Sequence, residues 1–321
     1  MSVDYTTTEL INLINLNISV PNIQQRYTDG DLITFLNQEM NNNIVPEIKK
    51  ENQEYFVVPF DFNLTANVAA YTMPSACIGE TLRLVTQLWP TTGPNTLQRE
   101  SQIRRLSQEE ISAFWNGQPL TYNDNFYGFY PEGNNIIFYP PPQNNLTNTI
   151  RLRYFRQPNN LVSTNDCGQI VSIDTVTNTL TLDNIPVDWA VGTKICSIAN
   201  KPPFINEIES TPILTLAPPD IIIDDVTGLE VGDWICLEGD SPIPQLPYSA
   251  FGCLVQATIV KICQGIGDTQ GMQIAQGVLE KLYPQMLATI NPRISGQPRK
   301  RVTNGNGIFD YNRRSAWRTW T

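Results

Sequence analysis

AFGCLVQATIVKICQGI, Ala250 to Ile266, is the stretch on which the fold turns. It is apolar almost all round, and a helix without a polar face must be buried on every side. Gln256, Thr258 and Lys261 interrupt the run from Ala250 to Ile262, which leaves it too short to span a bilayer. Pro247 suits the first helical turn, Gly267-Asp268 closes the helix, and Asp268 can cap the next one. That next helix places Ala275, Val278, Leu279, Leu282, Met286 and Ile290 on one face. At ~1.5 Å per residue each helix spans roughly 25–35 Å. Helices that must be covered need partners, and the other helical signals lie at the far end of the chain. Thr6-Thr7-Thr8-Glu9 has capping-box spacing ahead of Leu10, Ile11, Leu13 and Ile14. A second helix begins after Asp29, with Leu32, Ile33, Leu36 and Met40 at helical spacing, and Pro46 should kink or end it.

Between these ends the period changes to two. Phe56, Val58, Phe60, Phe62 and Leu64 alternate, and Pro59 assigns that strand to a sheet edge. A strand fits Thr81 to Trp89. Ser107-Gln108-Glu109-Glu110 opens a short helix that stops at Gly117. A hairpin then runs from Phe126 to Tyr139 about a turn at 131–134, and Thr149 to Phe155 forms a further strand. From Gly168 to Leu237 the chain echoes itself. Leu180 to Ile185 and Val191 to Cys196 match Ile221 to Val226 and Val231 to Cys236. Two copies are too few for a solenoid. They predict two similar hairpins in one small barrel or sandwich, with Cys196 and Cys236 at equivalent inward positions.

The expected fold is therefore α+β: a helical core from N- and C-terminal helices, a β-rich sandwich- or barrel-like insertion, and an extended C-terminal arm. The expected boundaries are 1–52 and 245–290 for the helical core, 53–244 for the insertion, and 291–321 for the arm. The arm, NPRISGQPRKRVTNGNGIFDYNRRSAWRTWT, holds seven cations against the single acid Asp310 and so carries +6. The chain as a whole is −10, which leaves −16 on the first 290 residues. Pro, Gly and Asn break every apolar period in the arm, so it cannot bury enough of its own surface to order itself. It nonetheless carries Phe309, Tyr311, Trp317 and Trp320. A basic segment with spaced aromatics is built to order against a partner, and fully extended it reaches on the order of 100 Å.

Composition excludes several chemistries. There is no histidine, so a Ser-His or Cys-His nucleophile lacks its base. The six cysteines form no C-x-x-C pair and lie mostly in apolar runs, as buried thiols do. The N-terminus shows no basic, apolar leader. A soluble protein made in a reducing compartment is expected, without cofactor, metal or catalytic residue. Glu109/Glu110 and Asp224/Asp225 are adjacent and diverge on their elements. Gly265 to Gly271 mimics a phosphate loop but sits between two helices. Arg151, Arg153 and Arg156 read as a solvated basic strand face balancing nearby acids. The aromatics Phe126, Tyr127, Phe129, Tyr130, Phe138 and Tyr139 read as hairpin core. An acidic body disfavours non-specific nucleic-acid or membrane binding.

Several strings, in their order, resemble a family of tailed-bacteriophage virion proteins. They are Glu54-Tyr55-Phe56 leading to Tyr71-Thr-Met-Pro74, Leu82 to Val85, Phe126-Tyr127 to Tyr139-Pro140, Leu152 to Arg156, Val231 to Trp234, Pro242 to Pro247, Gly267-Asp268 and Asn291-Pro292-Arg293. The resemblance is to the head-to-tail connectors, the adaptor or neck rings beneath the portal of podovirus-like particles. It covers the chain from about Tyr55 to Arg301. It implies a homo-oligomeric ring, typically of about twelve copies, that joins portal protein to tail tube or nozzle proteins. Viral double-stranded DNA would pass through it without sequence-specific binding. It also implies an arm that climbs onto the portal surface. Carried onto this chain, the partner contacts are Arg293, Arg299, Lys300, Arg301, Arg313, Arg314 and Arg318, to which the sequence adds Phe309, Tyr311, Trp317 and Trp320. The expected place is the virion neck, after synthesis in the host cytoplasm. A lower tail tube, nozzle or fibre-docking collar is the alternative. A glycan-binding or depolymerising tail component, with Asp183 and Asp224 as its only candidate carboxylates, is a further one.

Overall fold

The computed structural model describes residues 5–18, 26–52, 54–74, 76–88, 100–115, 128–142 and 144–291. The chain divides into a body, Met1–Ile290, and a terminal unit, Asn291–Thr321. Among the described residues six α-helices are found: α1 Thr7–Asn17, α2 Asp29–Glu39, α3 Val45–Glu51, α4 Gln108–Trp115, α5 Tyr248–Ile266 and α6 Thr269–Ile290. The expected caps are present. Thr6 accepts the Glu9 N–H, and α2 adds a full capping box of Thr28 and Asp31 that the sequence reading did not name. Ser107 and Glu110 bond reciprocally, and Asp268 accepts the Gly271 N–H at 2.9 Å.

Helix α5 is the axis of the helical core. It packs against α1, α2 and α6, and α3 packs on α6. Ten of its residues are buried, among them Phe251, Leu254, Ile259 and Ile262. At 19 residues it is long and apolar enough to cross a membrane by length and composition alone, but its neighbours cover it. Each fully buried Leu, Ile or Phe contributes about 1.5–3 kcal/mol of apolar burial. Pro46 does not end the second helical segment. A π-helical turn, Met40–Ile44, carries the chain into α3, where Pro46 sits in the first turn. A proline lacks the N–H that an interior turn would need, and the first turn leaves that group unused.

The strands are β1 Val57–Leu64, β2 Ala70–Thr72, β3 Cys77–Leu88, β4 Glu100–Gln102, β5 Gly128–Glu132, β6 Asn135–Tyr139, β7 Leu146–Arg156 and β8 Asn160–Leu161. They continue with β9 Gly168–Asp174, β10 Thr179–Leu182, β11 Lys194–Ile198, β12 Asn206–Pro212, β13 Thr215–Ala217, β14 Asp220–Ile222, β15 Trp234–Leu237 and β16 Asp240–Ser241. A four-stranded sheet, β1-β7-β3-β4, and a three-stranded sheet, β2-β6-β5, form a small sandwich. Leu64, Val85, Phe129, Phe138, Leu152 and Tyr154 fill it. Strand β1 is the edge that Pro59 predicted, and Phe129 and Phe138 are hairpin core as expected.

The second β unit is a seven-stranded sheet, β12-β11-β15-β9-β10-β14-β13. The internal echo shapes it, though not as two separate hairpins. Equivalent residues of the copies face each other across antiparallel pairs: Leu180 opposite Ile221, and Cys196 opposite Cys236. The copies also exchange backbone. In the first, Gly192 N–H bonds Ile213 O and Ile213 N–H bonds Thr193 O. In the second, Gly232 N–H bonds Ile170 O and Ile170 N–H bonds Asp233 O. Each copy's turn therefore grips the other copy's strand about a local two-fold. Gly192 (φ 88°) and Gly232 (φ 99°) supply the left-handed backbone that this turn requires. Ile170, Leu180, Ile195, Ile221 and Ile235 form the unit's own core. Cys167, Cys196, Ile198, Trp234 and Cys236 belong to the helical core instead, so the sheet is welded to the helices at one end.

Candidate functional site

The sequence places the site in the arm, and every candidate from Arg293 to Trp320 lies outside the described residues. Within the body, charge is organised at two places. The first is the outer face of the four-stranded sheet. Arg151 donates from Nε and Nη2 to both carboxylate oxygens of Asp61, at 2.7 and 2.8 Å. Its Nη1 reaches Glu100 at 3.1 Å, and Arg153 makes a two-pronged contact to the same Glu100 at 2.7 and 2.9 Å. The Arg153 hydrogen bonds, helped by the charge of Arg151, hold the Glu100 carboxyl down at about 2. Both cations are thus matched by acids of the same sheet, Asp61 on β1 and Glu100 on β4, the balanced face that the sequence predicted.

Arg156 does not share that face. Three residues after Arg153, it has the opposite parity on the strand and points inward. It is 5% exposed. Its Nη2 donates to Asn159 Oδ1 at 2.8 Å and to Gln245 Oε1 at 3.1 Å, and its Nε lies 3.3 Å from Glu209. Gln245 in turn donates to Phe204 O and Asn206 Oδ1, and Asn159 donates to Asp240 O. One buried guanidinium therefore ties together the end of β7, strand β12, and the segment that leads into α5. Burial pushes its pKa down and Glu209 pulls it back up. An open groove of about 500 Å³ lies beside the joint, lined by Gln157, Asn160, Lys194, Glu209 and Glu238 among others. Lys194 stands 3.8 Å from Glu238, and Glu209 serves Arg156, so the groove's charges hold one another. Sequence reading missed this joint. Its signal was present in the parity of Arg156 and in a glutamine inside Pro242 to Pro247.

Asp183 and the cysteines have structural duties, whereas the bond to Asp224 is to its main chain. Asp183 Oδ1 accepts the Gln169 N–H at 2.6 Å, and the Asp224 carbonyl accepts from Asn178. Cys196 and Cys236 face each other in the core. Burial raises Cys196 to about 12 and, with Cys167 beside it, raises Cys236 as well, so both stay protonated thiols. Among the described residues no group of His, Cys, Asp and Glu is disposed to hold a metal ion.

The body is thus a helical core with welded β units, and its arginine face and the Arg156 joint hold their cations against acids. Residues 5–192 match the model of the SU10 adaptor protein family. The chain belongs to that family. The match covers more than half of the chain: the N-terminal helices, the sandwich with its arginine face, the joint residues Arg156 and Asn159, and the first copy of the echo as far as Gly192. As an SU10 adaptor the protein has a structural role at the head-to-tail junction of a phage, in association with other virion parts. Among curated proteins nothing matches the chain.

Proposed function

We propose that this SU10 adaptor is the subunit of a ring, of about twelve copies, that joins the portal to the tail and surrounds the DNA exit path. The family match over the N-terminal helices and the sandwich carries the proposal. Three features of the chain support the finer reading. The body is acidic, −16 over 290 residues, so it repels duplex DNA and lets it slide rather than hold it. The body is also braced where its parts meet, as at Arg156, which suits a part that transmits load and turns over no substrate. The arm, +6 with four aromatics, supplies docking chemistry that the body lacks. Its Arg293, Arg299, Lys300, Arg301, Arg313, Arg314 and Arg318, with Phe309, Tyr311, Trp317 and Trp320, are the partner contacts on this reading. Repetition around a ring lets modest contacts hold firmly.

The test is co-sedimentation of the purified chain with DNA-filled heads that carry portal but lack tails. Binding to these heads and not to portal-less shells is expected, and removal of residues 292–321 should weaken it. Equal binding to both kinds of particle, or to isolated tails alone, would overturn the assignment.

A further inference from the structure

The seven-stranded unit carries a surface that the adaptor role alone does not use. Residues 160–245 hold thirteen Asp or Glu against two Lys, a net −11, whereas residues 1–159 hold fifteen acids against ten bases. The chain's negative charge is thus concentrated on this unit, and eight of the thirteen acids are exposed. Burial, with the like charges of Asp233 and Glu230, raises the pKa of Glu207, as a crowded anionic surface should.

Apolar side chains stand exposed among these acids in a paired arrangement. Val191 and Val231 occupy equivalent turn positions in the two copies, each 64% exposed. The Gly232–Ile170 bond sets the Val231 turn beside Val171, and the Gly192–Ile213 bond sets the Val191 turn beside Leu214. Val171 and Leu214 are also exposed. Single surface valines need no explanation, but two equivalent apolar spots on a strongly one-signed surface mark a contact. The fitting partner is a polycation that carries apolar groups. Duplex DNA is excluded by its charge.

This chain contains such a segment. Residues 292–321 hold seven cations, one acid and four aromatics. The body ends at Ile290, whose carbonyl accepts a hydrogen bond from Asn52 at the end of α3. Thirty residues reach on the order of 100 Å when extended, enough to meet a neighbour in a ring. We infer that the two valine-centred patches of the seven-stranded unit dock the basic arm, residues 292–321, of an adjacent copy. The inference rests on the reading of the chain as a ring subunit. Arginines lie against the exposed carboxylates and aromatic rings against Val191 and Val231. The ion pairs are individually weak and screened by salt, so the contact gains its strength from repetition.

Lys300 is the only lysine of the arm, which makes a zero-length carbodiimide coupling diagnostic. The experiment uses an equal mixture of ¹⁴N- and ¹⁵N-labelled full-length chains, concentrated at low salt. Coupling of Lys300 to carboxylates of residues 160–245 on the other isotopic chain is expected. Its yield should fall at least about tenfold between ~0.05 and ~0.5 M salt. The pair Val191→Ser and Val231→Ser should cut it at least about fivefold while circular dichroism stays unchanged. Coupling confined to one chain, coupling outside residues 160–245, or no coupling by wild type overturns the inference. Normal binding to portal-bearing heads alongside any of those results leaves the adaptor assignment standing, so the two failures are distinguishable.

Discussion

Replacing Arg156 by alanine removes the centre of the buried joint. The guanidinium gives two hydrogen bonds, to Asn159 and Gln245, and one ion pair, to Glu209. Breaking a buried pair from one side costs about 3–5 kcal/mol. The Glu209 side chain is 41% exposed and can rehydrate, which lowers its share towards ~1 kcal/mol. Gln245 Oε1 also keeps the Asn159 N–H as a donor, which leaves Asn159 Oδ1 as the one buried acceptor that loses its partner. The net expectation is about 3 kcal/mol, a fall in melting temperature of roughly 5 °C. Hydrogen exchange read by mass spectrometry locates the loss. Amides of β7 and β12 and of residues 242–247 should open first, while the interior of α5 keeps its protection. Arg156→Lys, which keeps the charge but not the forked geometry, should recover about half or less. A double-mutant cycle with Glu209→Gln should give a coupling of ~1 kcal/mol or less. A loss under ~0.5 kcal/mol for the alanine variant, or exchange spread evenly over the body, would refute the claim that this residue braces the fold.

Acid should weaken the sandwich through Glu100. Its folded pKa is depressed to about 2, so the stabilisation is present above its unfolded value near 4.5 and is lost as pH falls towards 2. Melting curves between pH 5 and pH 2.5 should therefore converge for wild type and Glu100→Gln. Phe251 is 1% exposed and stacks on Tyr5 at 4.6 Å, so Phe251→Ala should cost about 3–5 kcal/mol in urea denaturation. Gly267 caps α5 at φ 83°, and Gly267→Ala should cost ~1 kcal/mol by the same assay. Cys196 and Cys236 are buried and protonated, so an aromatic disulfide reagent should label them only after denaturation. Labelling of either in the native chain would contradict the packing described.

Local rules were legible where a residue acts alone or on its neighbours. Thr6, Ser107 with Glu110, and Asp268 all cap as their spacing implies, because a cap needs only the next turn. The apolar girth of α5 required burial, and α6 and the N-terminal helices supply it. Pro59 placed β1 at an edge because a proline cannot donate to a second neighbour. Long-range choices were not legible. The echo at Leu180 and Ile221 revealed a duplication, but periodicity gives no partner, and the copies pair with each other rather than folding back on themselves. The π turn before Pro46 depends on how α2 reaches α5 while α3 reaches α6. The joint at Arg156 needs Asn159, Glu209 and Gln245 at once, and no local pattern joins positions so far apart. The acidic concentration in residues 160–245 was countable in the sequence, but its paired valines acquire meaning only once the two-fold is seen.

The most direct measurement is a cryo-electron microscopy reconstruction of the intact particle's neck. The account predicts a closed ring of this chain against the portal on one side and tail components on the other. Residues 292–321 should be traceable from Ile290 onto a neighbour. Finding the chain away from the portal, or as an unassembled monomer absent from the particle, would contradict it.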